Sequence, residues 1–321
     1  MQPDNIDSVQ IHYNLDNFKA IKPVVTIGTF DGVHLGHQEV ITELIRISTI
    51  LGGESVVFTF DPHPRIVIAP NEDSLRLLTT TDEKIGLIKK IGVDHLVIYP
   101  FSEEFAKLSY SEFVTNILVG SMNISGLVVG YDHRFGQGRK GDFISLELLS
   151  ESLGFKVDQL SHLLVDNMVV SSSKIRTALA VGDISKANHF LGYRYSISGK
   201  VIQGNKLGRK IGFPTANIEI FDRLKLVPEN GVYTVIVEIG GKKYNGMLNI
   251  GFRPTVNYNP DNKSIEVHIF DFESNIYDSD ITLFFVEKIR NEEKFADINA
   301  LQEQLVKDRI YALNVLSIMS F

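Results

Sequence analysis

Two histidines three residues apart, His34 and His37, sit in residues 28–38, GTFDGVHLGHQ. If a helix has begun there, both imidazoles share one face and both can donate hydrogen bonds to phosphate oxygens. A glycine-containing turn ahead of a helix suits the same ligand. Glycine lets the backbone approach closely, and the first helical turn offers unpaired N–H groups. The competing readings are a metal pair and two solvated histidines. Zinc would be poorly served, since Asp31 is the only nearby carboxylate and the chain has no cysteine. Far downstream, Glu266 opens the segment EVHIFDF, where Glu266, His268 and Phe270 alternate with Val267, Ile269 and Asp271. Glutamate is disfavoured within strands, and one directed into a small barrel would be unusual without work to do; a surface-facing glutamate is the plain alternative.

Four further stretches carry chemistry-bearing side chains. Residues 170–176, VSSSKIR, open a helix with hydroxyls at Ser171, Ser172 and Ser173, followed by Lys174 and Arg176. Serines there are ordinary N-caps, and with two cations at the positive end of a helix they also form a cradle for a triphosphate. Residues 130–142, GYDHRFGQGRKGD, crowd glycines, the cations Arg134, Arg139 and Lys140, and the carboxylates Asp132 and Asp142 around Phe135; a solvated hairpin is the alternative. In residues 61–65, DPHPR, prolines flank His63, so a stiff structural turn competes with a site. Residues 204–217, GNKLGRKIGFPTAN, space Gly204, Gly208 and Gly212 evenly among Lys206, Arg209 and Lys210. This loop lacks the GK[ST] ending of a Walker loop, which argues against a P-loop NTPase. Thr215 at its end is equally readable as a strand hydroxyl bonded to backbone.

The elements that must position these residues follow from apolar periodicity. Short valine- and isoleucine-rich runs at 24–27, 55–60, 95–99, 126–129 and 155–158 read as buried strands. Between them, 38–51, 82–91, 111–118 and 145–153 read as helices. Such alternation predicts a doubly wound parallel sheet with helices on both faces, where ligands bind beyond the carboxyl ends of the strands. Helical segments 175–181 and 184–191 close the α/β pattern. From Tyr195 the period changes to two: 195–202, 232–239, 242–250, 264–270 and 281–286 read as strands joined by glycine- or asparagine-rich turns. Five or six antiparallel strands in so short a span suggest a small closed barrel, with a C-terminal helix over 299–319 packed outside it. The fold class expected is therefore α/β, with domains at 1–187 and 188–321.

Length and composition agree with two soluble domains. The chain has 321 residues, 44% hydrophobic and 22% charged. A net charge of −7 argues against a protein whose main task is gripping a nucleic-acid backbone. Zero cysteines exclude disulfides and thiolate chemistry and suit a reducing compartment. The start, MQPDNIDSVQ, lacks a signal-peptide pattern and no apolar run reaches transmembrane length, so a cytoplasmic protein without membrane contact is expected. The sequence specifies no oligomeric state.

The HxGH pattern at 34–37 resembles the signature of the nucleotidyltransferase superfamily. The longer GTFDGVHLGHQ resembles the adenylyltransferase module of the bifunctional bacterial riboflavin kinase and FAD synthetase family. That resemblance, in ordered motifs from about Val24 to Asp308, implies a nucleotidyltransferase-type N-terminal domain that adenylylates FMN to FAD, and a C-terminal barrel that phosphorylates riboflavin to FMN. Both steps would use ATP, with Mg²⁺ as cofactor. In the first domain it implies His34, His37 and Arg176 in catalysis. Gly28, Phe30, Asp31, Gly36, Ser171, Ser172, Ser173 and Lys174 would lie on the nucleotide, and His63, Asp132, Arg134, Phe135, Arg139 and Asp142 on the flavin. Two departures stand out: His133 replaces the family's usual phenylalanine, and Ser173 replaces a threonine while keeping its hydroxyl. In the barrel the resemblance implies Gly204, Lys206, Gly208, Gly212 and Tyr233 at the nucleotide, Thr215 and Asn217 at magnesium, Glu266 as base, and Arg290 and Phe295 on the flavin side. Segments NGVY at 230–233 and NIGFRPT at 249–255 complete the pattern; each alone reads as turn or packing. The remaining rivals are a flavin-binding barrel without catalysis and an N-terminal half using another nucleotide, such as CTP.

Overall fold

A computed structural model describes residues 9–70, 75–131, 134–139, 141–161, 164–166, 168–204, 207–252 and 263–318. Asp132, His133, Lys140, Lys206 and residues 253–255 lie outside the described residues, as does the side chain of Arg139. Contacts divide the chain into two compact units, Met1–Ser172 and Ser173–Phe321.

The first unit is a parallel sheet. Its described elements are β1 (Gln10–His12), β2 (Val24–Ile27), α1 (Leu35–Leu51), β3 (Ser55–Asp61), α2 (Pro64–Ile68), α3 (Thr81–Ile91), β4 (His95–Pro100), α4 (Glu103–Ala106) and α5 (Tyr110–Glu112). A π-helix over Phe113–Ser121 continues α5, and β5 (Gly126–Gly130), α6 (Phe143–Leu153), β6 (Lys156–Leu160) and the short β7 (Leu164–Val165) and β8 (Met168–Val169) follow. Strand order is β1-β4-β3-β2-β5-β6, every neighbouring pair parallel. Alternate residues of each strand feed two apolar layers, which is why the strands read as unbroken apolar runs. Val24, Val57, Leu96 and Val128 pack with Ile41 and Leu44 of α1 and Ile88 of α3. Val25, Phe58, Val97 and Leu127 pack on the other face with Phe113, Leu118 and Leu146. From β2 the chain runs outward through β3 and β4 on one side, then returns to β5 on the other. The gap beyond the ends of β2 and β5 is therefore the switch point at which such sheets bind ligands.

The second unit takes in most of α7 (Ser172–Ala180), then α8 (Ile184–Leu191), β9 (Ser196–Ile202), α9 (Leu207–Lys210), β10 (Ala216–Ile220), β11 (Gly231–Ile239), β12 (Lys242–Phe252), β13 (Lys263–Ile269), β14 (Asp280–Arg290) and α10 (Ile298–Ile318). Six described strands close an antiparallel barrel in the order β10-β13-β12-β11-β14-β9. Fully buried Tyr195, Tyr233, Leu248, Val267 and Phe285 belong to its core. Met247, Ile236, Phe270 and Val286 pack instead with Ala312 and Leu316 of α10. Asn188 of α8 donates to Phe285 O at 3.0 Å, tying that helix to β14.

Candidate active sites

The turn after β2 is built under strain. Phe30 and Val33 hold left-handed φ angles of 47° and 35°, with Gly32 at 85° between them. Such angles persist in non-glycine residues only where surroundings over-determine them. Asp31 supplies the restraint: its Oδ1 accepts from the backbone N–H groups of Leu78 (2.9 Å) and Thr79 (3.2 Å), and Gly32 N–H donates to Thr79 Oγ1 at 3.0 Å. Gly28 leaves room for the Phe30 ring, which would sit 3.2 Å from any Cβ placed there.

His34 caps α1. Its Nδ1 accepts the backbone N–H of His37 at 3.3 Å, so the ring carries its proton on Nε2 and can donate outward. The His37 ring stacks on His34 with centroids 3.6 Å apart and 16° between planes, and Phe30 meets it edge-on at 5.2 Å. Burial, then the neighbouring His34 and Lys84, hold the His37 imidazole well below its ordinary range, so it is neutral at pH 7. Its Nδ1 is buried and has no hydrogen-bond partner among the described residues. The pair is thus a set of uncharged donors at a helix start, at the switch point.

The two sequence segments expected to share this site meet in the first unit. Ser172 Oγ donates to Asp31 O at 2.9 Å, and a Cβ on Gly36 would lie 4.0 Å from Val170 O. Ser171 immediately precedes α7; Ser173, Lys174 and Arg176 follow on that helix, in the second unit. Beyond β5, Phe135 and Gly141 exchange backbone hydrogen bonds of 3.2 and 3.0 Å as an antiparallel bridge. Phe135 is buried against Tyr110 and Phe113. Asp142 caps α6 by accepting from Ser145 N–H and Oγ–H, which with Arg134 keeps its carboxyl below the usual range. Arg134 is exposed. His63 caps α2, its Nδ1 accepting Arg65 N–H at 3.2 Å, with Pro64 in the first helical turn. Sequence reasoning passed over Lys84, a lysine only 6% exposed beside this turn. Its signal was its place four residues before Ile88, on the core-facing stripe of α3.

In the barrel, Thr215 Oγ1 donates to Glu266 Oε2 at 3.1 Å. Glu266 pairs in register with Asn217 on one side and Asn249 on the other, so the three polar side chains share one face. That face also carries His268 and Met247, the latter in the layer under α10. Glu266 therefore lies half-buried on the outer surface of the barrel rather than in its lumen. Buried Asn217 leans on Gly204, where a Cβ would come within 2.0 Å of its Nδ2. Gly208 likewise has no room for a side chain, with Phe213 O 2.1 Å from an added Cβ, and Gly212 takes a φ of 82°. A cavity of about 310 Å³ beside Thr215 is lined by Arg209, Pro214, Val267, Phe272 and Tyr277 among others. Tyr233 is fully buried and its hydroxyl donates to Glu229 O; desolvation, then the nearby charge of Glu229, drives its phenol well above the ordinary range. Arg290 and Phe295 come together, guanidinium carbon 5.4 Å from the ring centroid, while Asp308 holds Arg290 through three contacts of 2.8–3.1 Å.

Residues 18–174 match the family model described as FAD synthetase, and residues 191–316 the one described as riboflavin kinase. A Bacillus subtilis protein named bifunctional riboflavin kinase/FMN adenylyltransferase is 39% identical over 308 residues, covering 95% of this chain and 96% of its own. A Buchnera aphidicola protein of the same name is 39% identical over 298 residues, covering 92% and 95%. A crystal structure described as a macrolide-efflux protein from Streptococcus pneumoniae superimposes with a TM-score of 0.85 at 31% identity, covering 96% of this chain and 99% of that one. Among the described residues, no helix is long and apolar enough to cross a membrane.

Proposed function

The chain belongs to the family of bifunctional riboflavin kinase/FMN adenylyltransferases, and from that premise we propose how its residues divide the work. It phosphorylates riboflavin to FMN through its C-terminal riboflavin kinase part and adenylylates FMN to FAD through its N-terminal FAD synthetase part. We assign adenylylation to residues 1–187 and phosphorylation to residues 188–321, with ATP as donor in both and the cytoplasm as the place of work.

In adenylyl transfer the FMN phosphate is already ionised and attacks the α-phosphorus of ATP, expelling pyrophosphate, so alignment and charge stabilisation suffice. His34 and His37 donate to the transferring phosphoryl oxygens. Gly28, Phe30, Asp31 and Gly36 shape the turn that receives the nucleotide, and Ser171, Ser172, Ser173, Lys174 and Arg176 hold its phosphates. The flavin falls to His63, Asp132, Arg134, Phe135, Arg139 and Asp142. The observation that carries this reading is the stacked histidine pair at the switch point, with a buried ring nitrogen of His37 left for a ligand.

The kinase half must activate a weaker nucleophile. Glu266 takes the proton of riboflavin's primary hydroxyl as its oxygen attacks the γ-phosphorus of ATP. Its contact with Thr215 is what supports that role, since it places a carboxylate beside the hydroxyl proposed for the metal side. Thr215 and Asn217 offer only hard oxygen donors besides one amide nitrogen, which suits Mg²⁺ carried largely by the triphosphate. The ion would neutralise phosphate charge during transfer. Gly204, Lys206, Gly208, Gly212 and Tyr233 frame the nucleotide side, and Arg290 with Phe295 the flavin side.

Incubation with riboflavin and either ATP or CTP, followed by chromatographic separation of flavins, tests the whole reading. ATP should give FMN and then FAD. His37→Ala should stop the sequence at FMN, whereas Glu266→Ala should abolish FMN formation but still convert supplied FMN to FAD. FAD appearing at the normal rate from His37→Ala, or FMN from Glu266→Ala, would refute the corresponding assignment.

A further inference from the structure

Lys84 is a buried charge that none of the roles above uses. It lies in the first turn of α3, where a cation opposes the helix dipole, and it faces the core while only 6% exposed. Each circumstance disfavours an ammonium, so its place depends on its neighbours. Nζ donates to Thr59 Oγ1 at 3.3 Å, and Thr59 Oγ1 in turn donates to Thr29 O at 3.2 Å, in the turn that carries the histidines. Desolvation is the largest influence and holds the Lys84 ammonium below the ordinary lysine range, while the carboxylates of Asp31, in the same turn, and Asp61, at the end of β3, act against it as counter-charges. Asp31 is also the residue that restrains the strained turn through Leu78 and Thr79.

We propose that Lys84 is a positioning residue of the adenylyl-transfer site, whose ammonium, set against Asp31, Asp61 and Thr59, holds the histidine turn in place and sets the electrostatic field around it. The inference rests on the reading of His37 given above. Two charged or titratable groups act on His37: His34 from the cap of α1 and Lys84 from α3; Asp31 and Asp61 act on Lys84 in turn. Burial does most to keep the imidazole a neutral donor, His34 adds to it, and the Lys84 cation adds a further push against the proton that would alter its hydrogen bond to phosphate.

Lys84→Met removes the charge while keeping the length of the side chain. FAD formation from FMN and ATP at neutral pH should fall by about 10- to 100-fold, the scale of a misplaced catalytic group, while FMN formation from riboflavin stays within about twofold. The acid limb of the FAD-forming profile should move to higher pH, because His37 takes up a proton more readily without its cationic neighbour. Lys84→Arg should retain the wild-type profile. Thr59→Val, which keeps the charge but breaks the link to Thr29, should slow FAD formation without moving the profile. NMR titration of the His37 imidazole in Lys84→Met gives a direct second reading, and an unchanged titration overturns the proposal. So do a superimposable pH profile, an unslowed Thr59→Val, or parallel loss of both activities. His37→Ala run alongside separates the two ideas. If it makes FAD normally the site reading itself fails, whereas if it is inactive and Lys84→Met is unaffected only the role of Lys84 fails.

Discussion

Asp308 gives the sharpest test of what holds together the end of the barrel proposed above for the flavin. Its carboxylate, on α10, has a side-chain exposure of 1% and receives the guanidinium of Arg290, whose own exposure is 15%. Nη2 approaches Oδ2 at 2.8 Å, Nε lies 3.1 Å from both oxygens, and Gln304 adds a further donor at 2.8 Å. Asp308→Ala leaves the guanidinium without its acceptor at the end of β14. Removing one member of a buried ion pair costs about 3–5 kcal/mol. Arg290 retains a bond to Asn291 O, its contact with Phe295 and a solvent-facing edge, so the lower figure, about 3 kcal/mol, applies here. At about 2–4 °C per kcal/mol for a unit of this size, the melting transition of the second unit should fall by roughly 6–12 °C.

The companion variant separates stability from function. Replacing both partners, Asp308→Leu with Arg290→Met, removes the orphaned charge and should recover most of the lost stability, since well-packed apolar residues substitute for buried pairs at little cost. If Arg290 and Phe295 face the flavin, riboflavin KM should rise in the stable double variant as well as in the single one. Differential scanning calorimetry with an FMN-formation assay on the same preparations measures both. An Asp308→Ala protein that melts within about 1 °C of the wild type would refute the claim that this pair pins α10 to the barrel. A double variant that melts as low as the single one would show that packing, not charge, was lost.

Three further outcomes follow from the same geometry. The His37 imidazole is held well below its ordinary range, first by burial, while the unfolded chain takes up its proton near about pH 6.5. Below that pH the unfolded state binds more protons, so stability of the first unit should fall as pH drops, by up to about 1.4 kcal/mol per pH unit. His12, lowered by burial and by His95, acts in the same direction, and melting curves that do not move between about pH 8 and about pH 5 would contradict both. Gly204→Ala would drive a methyl group into the Asn217 amide, now 2.0 Å from that position, so FMN formation should drop while supplied FMN is still converted to FAD. Ser172→Ala loses the bond to Asp31 O and should cost the first unit about 1 kcal/mol while slowing FAD formation alone, as chromatography of both products would show.

What the sequence made legible tracks how local each signal was. The apolar runs at β2, β3, β4 and β5 and the amphipathic spans of α1, α3 and α8 lie within a few residues of their expected bounds, because each buries a face whose period is written in its own residues. β1 was invisible, since Gln10–His12 is too short and too polar to announce a strand, and only pairing with β4 makes it one. β10 escaped for a similar reason: Ala216–Ile220 follows directly on the glycine loop, and barrel closure rather than propensity extends it. The segment read as a helix at 111–118 begins with the single turn of α5 and widens into a π-helix through Ser121, a change of winding that periodicity does not resolve. At the sites, residue types were legible but their directions were not. Glu266 stood out as a glutamate in a strand, yet its outward face depends on which side α10 covers, a matter of tertiary packing. Lys84 was hidden for the opposite reason, since one lysine on a helix reads as solvated until Asp31, Asp61 and Thr59 converge on it from elsewhere.

The two sites also differ in a way that their nucleophiles require. A phosphate monoester attacks without losing a proton, so a base at the adenylyl-transfer site would contribute little, and an extra negative charge there would repel both substrates. The first unit accordingly directs neutral imidazoles toward the switch point, sets a buried ammonium beside them, and occupies Asp31 Oδ1 with backbone N–H donors. A primary alcohol must lose its proton, and there a carboxylate is useful despite the repulsion. The second unit sets Glu266, the base proposed above, half-buried on the barrel's outer surface beside Thr215 and between two asparagines. Exchanging the charge logic should therefore fail in both directions. His37→Glu should depress FAD formation further than His37→Ala, because it adds the repulsion that alanine merely omits, and equal rates for the two variants would count against an electrostatic role for the histidine pair.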